Sequence, residues 1–160
     1  MNQSHLFRRC LVTVLLLGFV FSVQAQKTSG TASEKTIYHW RQDAFAPLPA
    51  EAAKEYQKLP QASYTPAVTL REWSAAPILQ EFAEKYTGKK LTVRYVFTVD
   101  EAGYIQAVKL VETNDRTAAA SLRTLLVKTK LSGPSFLKNT AVASYVPCLM
   151  TISDKQITIQ

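Results

Sequence analysis

The sequence predicts an α+β fold: an antiparallel β-sheet of about three strands packed against two helices. Changes in hydrophobic period predict it. Apolar residues recur at helical spacing over residues 77–86, at every second position over 91–112, and again at helical spacing over 116–130. A last apolar run, NTAVASYVPCLMTI at residues 139–152, alternates as a strand.

Residues 1–25 read as a signal peptide. Arg8 and Arg9 form a positive n-region, residues 11–23 (LVTVLLLGFVFSV) an apolar stretch, and VQA a small-residue cleavage pattern before Gln26. The stretch rises about 20 Å as a helix, short of the roughly 30 Å hydrocarbon core. An uncleaved anchor in the inner membrane is the alternative. Export to the periplasm is the expectation. Cys10 precedes the apolar run, so it is not placed for lipidation, and Cys148 is the only cysteine after it. No intrachain disulfide follows, and Cys148 reads as a small buried hydrophobe.

Charge narrows the partners. The 19 Lys and Arg outnumber the 12 Asp and Glu, even after Arg8 and Arg9 leave with the leader. The remaining cations are scattered and not interleaved with aromatics, so nucleic acid is not the expected partner.

Residues 26–36 (QKTSGTASEKT) are small and polar and read as a disordered leader. Residues 37–74 carry Pro47, Pro49, Pro60 and Pro66 among aromatics, which excludes long elements. Pro49 is placed to open a short helix over residues 50–59, with Ala52, Ala53, Tyr56 and Leu59 on one face. The segment is expected to pack on the main domain, residues 75–160.

That domain opens with a helix capped by Ser74, with Pro77 in its first turn and Gly88 as its stop. In KLTVRYVFTVD, Val93, Tyr95, Phe97 and Val99 point one way, and Arg94, Val96 and Thr98 the other. After Gly103, Ile105, Ala107 and Lys109 are expected opposite Tyr104, Val108 and Leu110. The two runs make a β-hairpin. Asn114 or Asp115 is placed to cap the next helix, whose stripe is Ala118, Leu122, Leu125 and Leu126, and SGPS at residues 132–135 ends it. In the last strand Val142, Val146, Cys148 and Met150 share a face, and Pro147 predicts an edge or a bulge. KQITIQ continues or adds a strand.

The chemistry of catalysis is thin. Asp100 and Glu101 are adjacent in a tight turn, where carboxylates point apart into water, so they read as turn formers with Gly103 supplying positive φ. DEAG offers two acids where calcium takes six to eight oxygens. His39 is the one histidine outside the leader, and no Gly-x-Ser-x-Gly turn accompanies it. One His and one Cys do not hold zinc. No Gly-rich phosphate loop appears among five glycines. The expectation is a non-catalytic protein with no cofactor and no metal. An enzyme using His39 with Cys148 is the remaining catalytic alternative.

The order helix, hairpin with VxFxVDExGxI, helix, long strand with VP resembles the TonB C-terminal domain. The residues that carry it are Val93, Tyr95, Phe97, Val99, Asp100, Gly103 and Ile105, then Val146, Pro147, Cys148, Leu149 and Met150. The resemblance spans about half the chain, residues 76–152. It implies a domain that binds a receptor segment as an added strand beside its last strand, and a TonB-dependent outer-membrane receptor as partner. The partner-binding edge then falls on Thr140, Val142, Ser144, Val146, Pro147, Cys148 and Met150, through backbone pairing. The chain departs from energy transducers in its signal-like leader, in lacking a long Pro/Lys-rich spacer, and in carrying Ala76-Pro77 where the family has Tyr-Pro.

Three functions follow as expectations. The first is a periplasmic binding module of the cell envelope. The second is a membrane-anchored energy transducer. The third is an inhibitor or immunity-type protein, favoured if the aromatics of residues 38–45 are exposed. A homodimer through an open sheet edge is a further partner expectation.

Overall fold

The computed structural model describes residues 35–41, 45–63, 73–74, 76–131 and 133–160. It is a mixed α+β structure with a curled, mainly antiparallel sheet. The elements run β1 (Tyr38–His39), α1 (Ala50–Tyr56), α2 (Pro77–Lys85), β2 (Lys90–Val99), β3 (Ile105–Thr113), α3 (Arg116–Leu126), β4 (Ser135–Leu137), β5 (Thr140–Val142), β6 (Ser144–Ser153) and β7 (Gln156–Ile159). The main sheet has five strands in the order β1-β6-β2-β3, with β7 also on β6, and β4 pairs β5 separately. About three strands and two helices were expected. The short helix expected after Pro49 forms as α1, KQITIQ adds the strand β7, and the additions are β1 and the β4–β5 pair.

Alternation sets the faces. Leu91, Val93, Tyr95, Phe97 and Val99 of β2 are buried, and Tyr95 donates to the Ala119 carbonyl of α3 at 2.6 Å, so this face lies under the helices. Their partners in β6 are Ile152, Met150, Cys148, Val146 and Ser144, each at most 1 % exposed. The opposite face takes α1. Tyr56 packs on Tyr145 of β6 with ring centroids 4.9 Å apart, and Lys109 of β3 lies 5.6 Å over the Tyr56 ring. Arg94 Nη1 donates to the Pro47 carbonyl at 2.8 Å and holds the approach to α1. Trp40 is 4 % exposed and Phe45 8 %, so these aromatics are core residues.

Several local expectations change. Ser74 does not cap α2. Ala76 is its N-cap with no side-chain bond, and Gln80 Nε2 donates to the Ser74 carbonyl instead. The helix ends at Tyr86, which turns extended before Gly88 is reached. Asp115, not Asn114, caps α3 by accepting from the Ala118 amide at 2.9 Å. Asn114 instead bridges to β2, accepting from the Thr92 amide and donating to the Lys90 carbonyl. α3 stops at Leu126, ahead of SGPS, because Val127 turns extended, and Lys128 follows with a positive φ of 69°. Its buried stripe is Ala119, Leu122 and Leu126, and Leu125 is exposed.

β3 departs most. Ile105 pairs with Val99 but Ala107 pairs with Thr98, so Gln106 is an extra residue in a bulge. Beyond it the faces swap: Val108 pairs with Phe97 under the helices, and Ala107 and Lys109 lie on the α1 face. The side chain of Gln106 donates to Asp100 Oδ2 at 2.6 Å, which ties the bulge to the turn. A second irregularity places Val111 between Leu110, opposite Tyr95, and Glu112, opposite Arg94.

The last predicted strand is two strands. Lys138 and Asn139 take positive φ and turn β4 into β5, so Asn139 is a turn residue. Asp154 and Lys155 do the same between β6 and β7. The expected leader and disordered segment over residues 1–34, Pro66 and Ser132 lie outside the described residues.

Candidate functional site

The hairpin tip carries two adjacent carboxylates, Asp100 and Glu101. Asp100 Oδ1 accepts from the amides of Ala102 and Tyr104, both at 2.9 Å, and Oδ2 from Gln106. Desolvation alone raises its pKa. The hydrogen bonds from Tyr104, Ala102 and Gln106, with the charge of Lys35, outweigh this and hold the carboxyl below its ordinary value. Glu101 pairs with Lys35, whose hydrogen bond is the main cause that lowers its pKa too. Asp100 is therefore engaged in closing the turn, and Glu101 ties the turn to Lys35. Gly103 has φ 88°, and a Cβ there would meet the Gly133 carbonyl carbon at 3.1 Å.

Cys148 pairs with Tyr95 in the sheet and is 1 % exposed. Burial pushes its thiol up to about 12, where it is a poor nucleophile. His39 sits in β1 beside Tyr145, and its ring meets Trp40 edge-on at 5.8 Å.

The expected partner-binding edge is not an open edge. Thr140 and Val142 lie in β5, paired with Leu137 and Ser135 of β4. Ser144, Val146, Pro147, Cys148 and Met150 lie in β6, which β2 covers along one side from Val99 to Lys90. On the other side β1 pairs at Ser144 and Tyr145, and β7 pairs from Met150 to Ser153. Leu149 and Gln160 exchange both backbone hydrogen bonds at 2.9 Å. Leu149 thus turns its N–H and C=O away from β2, and by alternation so does Pro147. The missing N–H of Pro147 falls in the gap between β1 and β7, so the β2 ladder loses nothing. The proline is explained by local geometry inside the sheet, not by an edge position.

The open side is on β3. Ile105 faces outward and is already served, donating to the Thr129 carbonyl and accepting from the Lys128 amide. Lys109 faces β2 as the partner of Val96. Val108 and Leu110, on either side of Lys109, therefore turn their N–H and C=O groups outward. Among the described residues no strand pairs with β3 on this side between Ala107 and Thr113.

A groove of about 470 Å³ lies on the sheet beside this edge, lined by Tyr56, Val96, Thr98, Lys109 and Tyr145, and it reaches the edge at Val108, Leu110 and Arg123. Glu55 also lines it and pairs with Lys109, and that hydrogen bond is the main reason the Lys109 pKa is raised. Burial raises the Tyr56 pKa, against the charge of Lys109. Arg123 is exposed and makes no ion pair among the described residues. It also lines a shallower groove with Thr124, Val127 and Lys128, which continues the basic rim along α3.

A second groove, about 290 Å³, lies between α2 and α3 over Ile78, Phe82, Ala118 and Leu125. Its rim charges, Glu81 and Lys85, pair with each other. It offers apolar contact without a free backbone ladder.

Val108 and Leu110 were not among the site residues expected from the sequence. The available signal was local: the adjacent apolar pair Leu110-Val111 breaks strict alternation, as a bulged strand does. Comparison with protein-family models, with curated proteins and with solved structures finds no match to this chain.

Proposed function

We propose that this protein is a non-catalytic binding module of the cell envelope, which takes an extended segment of a partner protein by backbone pairing at a sheet edge. The observation that carries the proposal is the outward backbone of Val108 and Leu110, unpaired among the described residues and bordering a groove beside Tyr56 and Arg123. The order α2, β2–β3 hairpin, α3, β6 supports the TonB C-terminal-like reading of the fold. That reading alone would place the partner beside β6. The chain's own β1 and β7 already hold that position, which moves the proposed site to β3.

Export to the periplasm rests on the leader, with Arg8 and Arg9 ahead of the apolar residues 11–23. No helix among the described residues is long and apolar enough to cross a membrane. The mass of the purified protein separates the readings: a mature start at Gln26 supports a periplasmic module, and a retained leader supports a membrane-anchored transducer. The buried Trp40 and Phe45 count against an inhibitor that presents those aromatics.

Amide exchange tests the edge. In the free protein the amides of Val108 and Leu110 exchange fast, while Lys109 between them is protected by β2. Binding of an extended partner protects all three. Protection of only the helix faces, with Val108 and Leu110 unchanged, overturns the edge-pairing function.

A further inference from the structure

We infer that the segment taken by β3 is acidic, with its carboxylates on the α3 side and toward the Lys128 end of the edge. This rests on the edge-pairing reading above and adds the chemistry of the partner.

The charge along this edge is unbalanced. Four charged side chains border the open edge near its middle and its Lys128 end: Glu55, Lys109, Arg123 and Lys128. Glu55 and Lys109 neutralise each other on the α1 face. Arg123 and Lys128 have no ion-pair partner among the described residues, and both are exposed on the α3 side. At the far end Glu112 faces solvent and meets Arg94 only at 3.6 Å. The edge is therefore positive at the end near Lys128 and negative at the end near Glu112. A strand added to Val108 and Leu110 alternates its side chains between the two faces. Every second residue falls on the α3 side, where a carboxylate meets the Arg123 guanidinium in the planar geometry that favours this pair. Its other residues fall on the α1 side, against Tyr56 and the closed Glu55–Lys109 pair, which offers no free charge. The segment Thr129–Leu131 blocks extension past Ile105, so the site is finite.

The test uses the full chain without its leader and two synthetic peptides of roughly seven residues, long enough for an edge of about 20 Å. One alternates Val and Glu, the other Val and Gln. The acidic peptide is expected to protect the Val108 and Leu110 amides and to bind more tightly than the neutral one by about fivefold, the size of an exposed ion pair. Arg123→Gln, an exposed helix position, removes that difference. Raising the salt so that the Debye length falls from about 10 Å to about 3 Å does the same.

Each other outcome is decisive. Equal protection by both peptides overturns the acidic partner and leaves edge pairing standing. Protection by neither, with both amides open in the free protein, overturns edge pairing itself. Amides already protected in the free protein, with sedimentation at twice the monomer mass, assign the edge to a second copy of the chain. The same protection in a monomer assigns it to the chain's own segments, and either result overturns the acidic partner.

Discussion

The phenol of Tyr95, in the central strand, donates to the backbone carbonyl of Ala119, in the middle of α3, at 2.6 Å. Both residues are fully buried, so the bond pins one helix at one height on the sheet. Asp115 starts that helix and the extended Val127 stops it, and Arg123 is thereby placed beside Val108 and Leu110.

Tyr95→Phe keeps the ring and removes the bond. The expected loss is about 1 kcal/mol, or ~4 °C in melting temperature, by thermal denaturation. Burial raises the Tyr95 pKa above the ordinary 10.0, so the unfolded chain ionises first. Its contribution is full below that value and is lost as pH rises above it. The variant is expected to flatten the alkaline fall in stability, and an unchanged slope would refute this role.

Asp100→Ala removes three acceptor contacts at the hairpin tip. A loss of about 1–2 kcal/mol is expected in denaturant unfolding. The Asp100 pKa is lowered in the fold, so its stabilisation is present above the ordinary carboxyl value of 3.8 and fades as pH falls through the lower folded value. Urea titrations at neutral and acidic pH should show wild type and variant converging in acid.

Gly103→Ala places a methyl at φ 88°, close to Gly133. The expected cost is at least ~1 kcal/mol. A neutral result would mean that the turn relaxes away from residue 133.

Ser135 and Ser144 share a hydroxyl–hydroxyl hydrogen bond, and both are buried. It links β4 to β6. Each single change to Ala strands the other hydroxyl and is expected to cost about 1–2 kcal/mol. The double variant should cost less than the two singles together by about 1 kcal/mol, measured as a double-mutant cycle.

Cys148 gives a probe of opening. Alkylation in native buffer is expected to be slow, and its rate should follow global unfolding as urea is added, because the buried thiol is held up to about 12. Fast labelling of the folded protein would show that β6 opens locally.

Much of the fold was legible because the signals are periodic. Val93, Tyr95, Phe97 and Val99 announced a buried face, and Asp100 with Gly103 announced the turn. The capping role of Asp115 was one of two readings of Asn-Asp, since both side chains can accept from an amide. Asn114 was taken by β2, a contact across 22 positions that no local pattern encodes. Pro147 was legible as a residue without an N–H but not as to which side lacked it.

The sequence by itself determined the class of each long element, the inward face of β2 and β6, and that His39 is the one histidine beyond residue 25. Only the tertiary structure decided which edges are closed. Period two says which face a side chain uses, and it is silent on which neighbour takes the backbone hydrogen bonds. β1 and β7 met β6 through long-range pairing and closed the expected edge, and the bulge at Gln106 swapped the faces of β3. The free ladder was left at Val108 and Leu110 because no other described segment reached it.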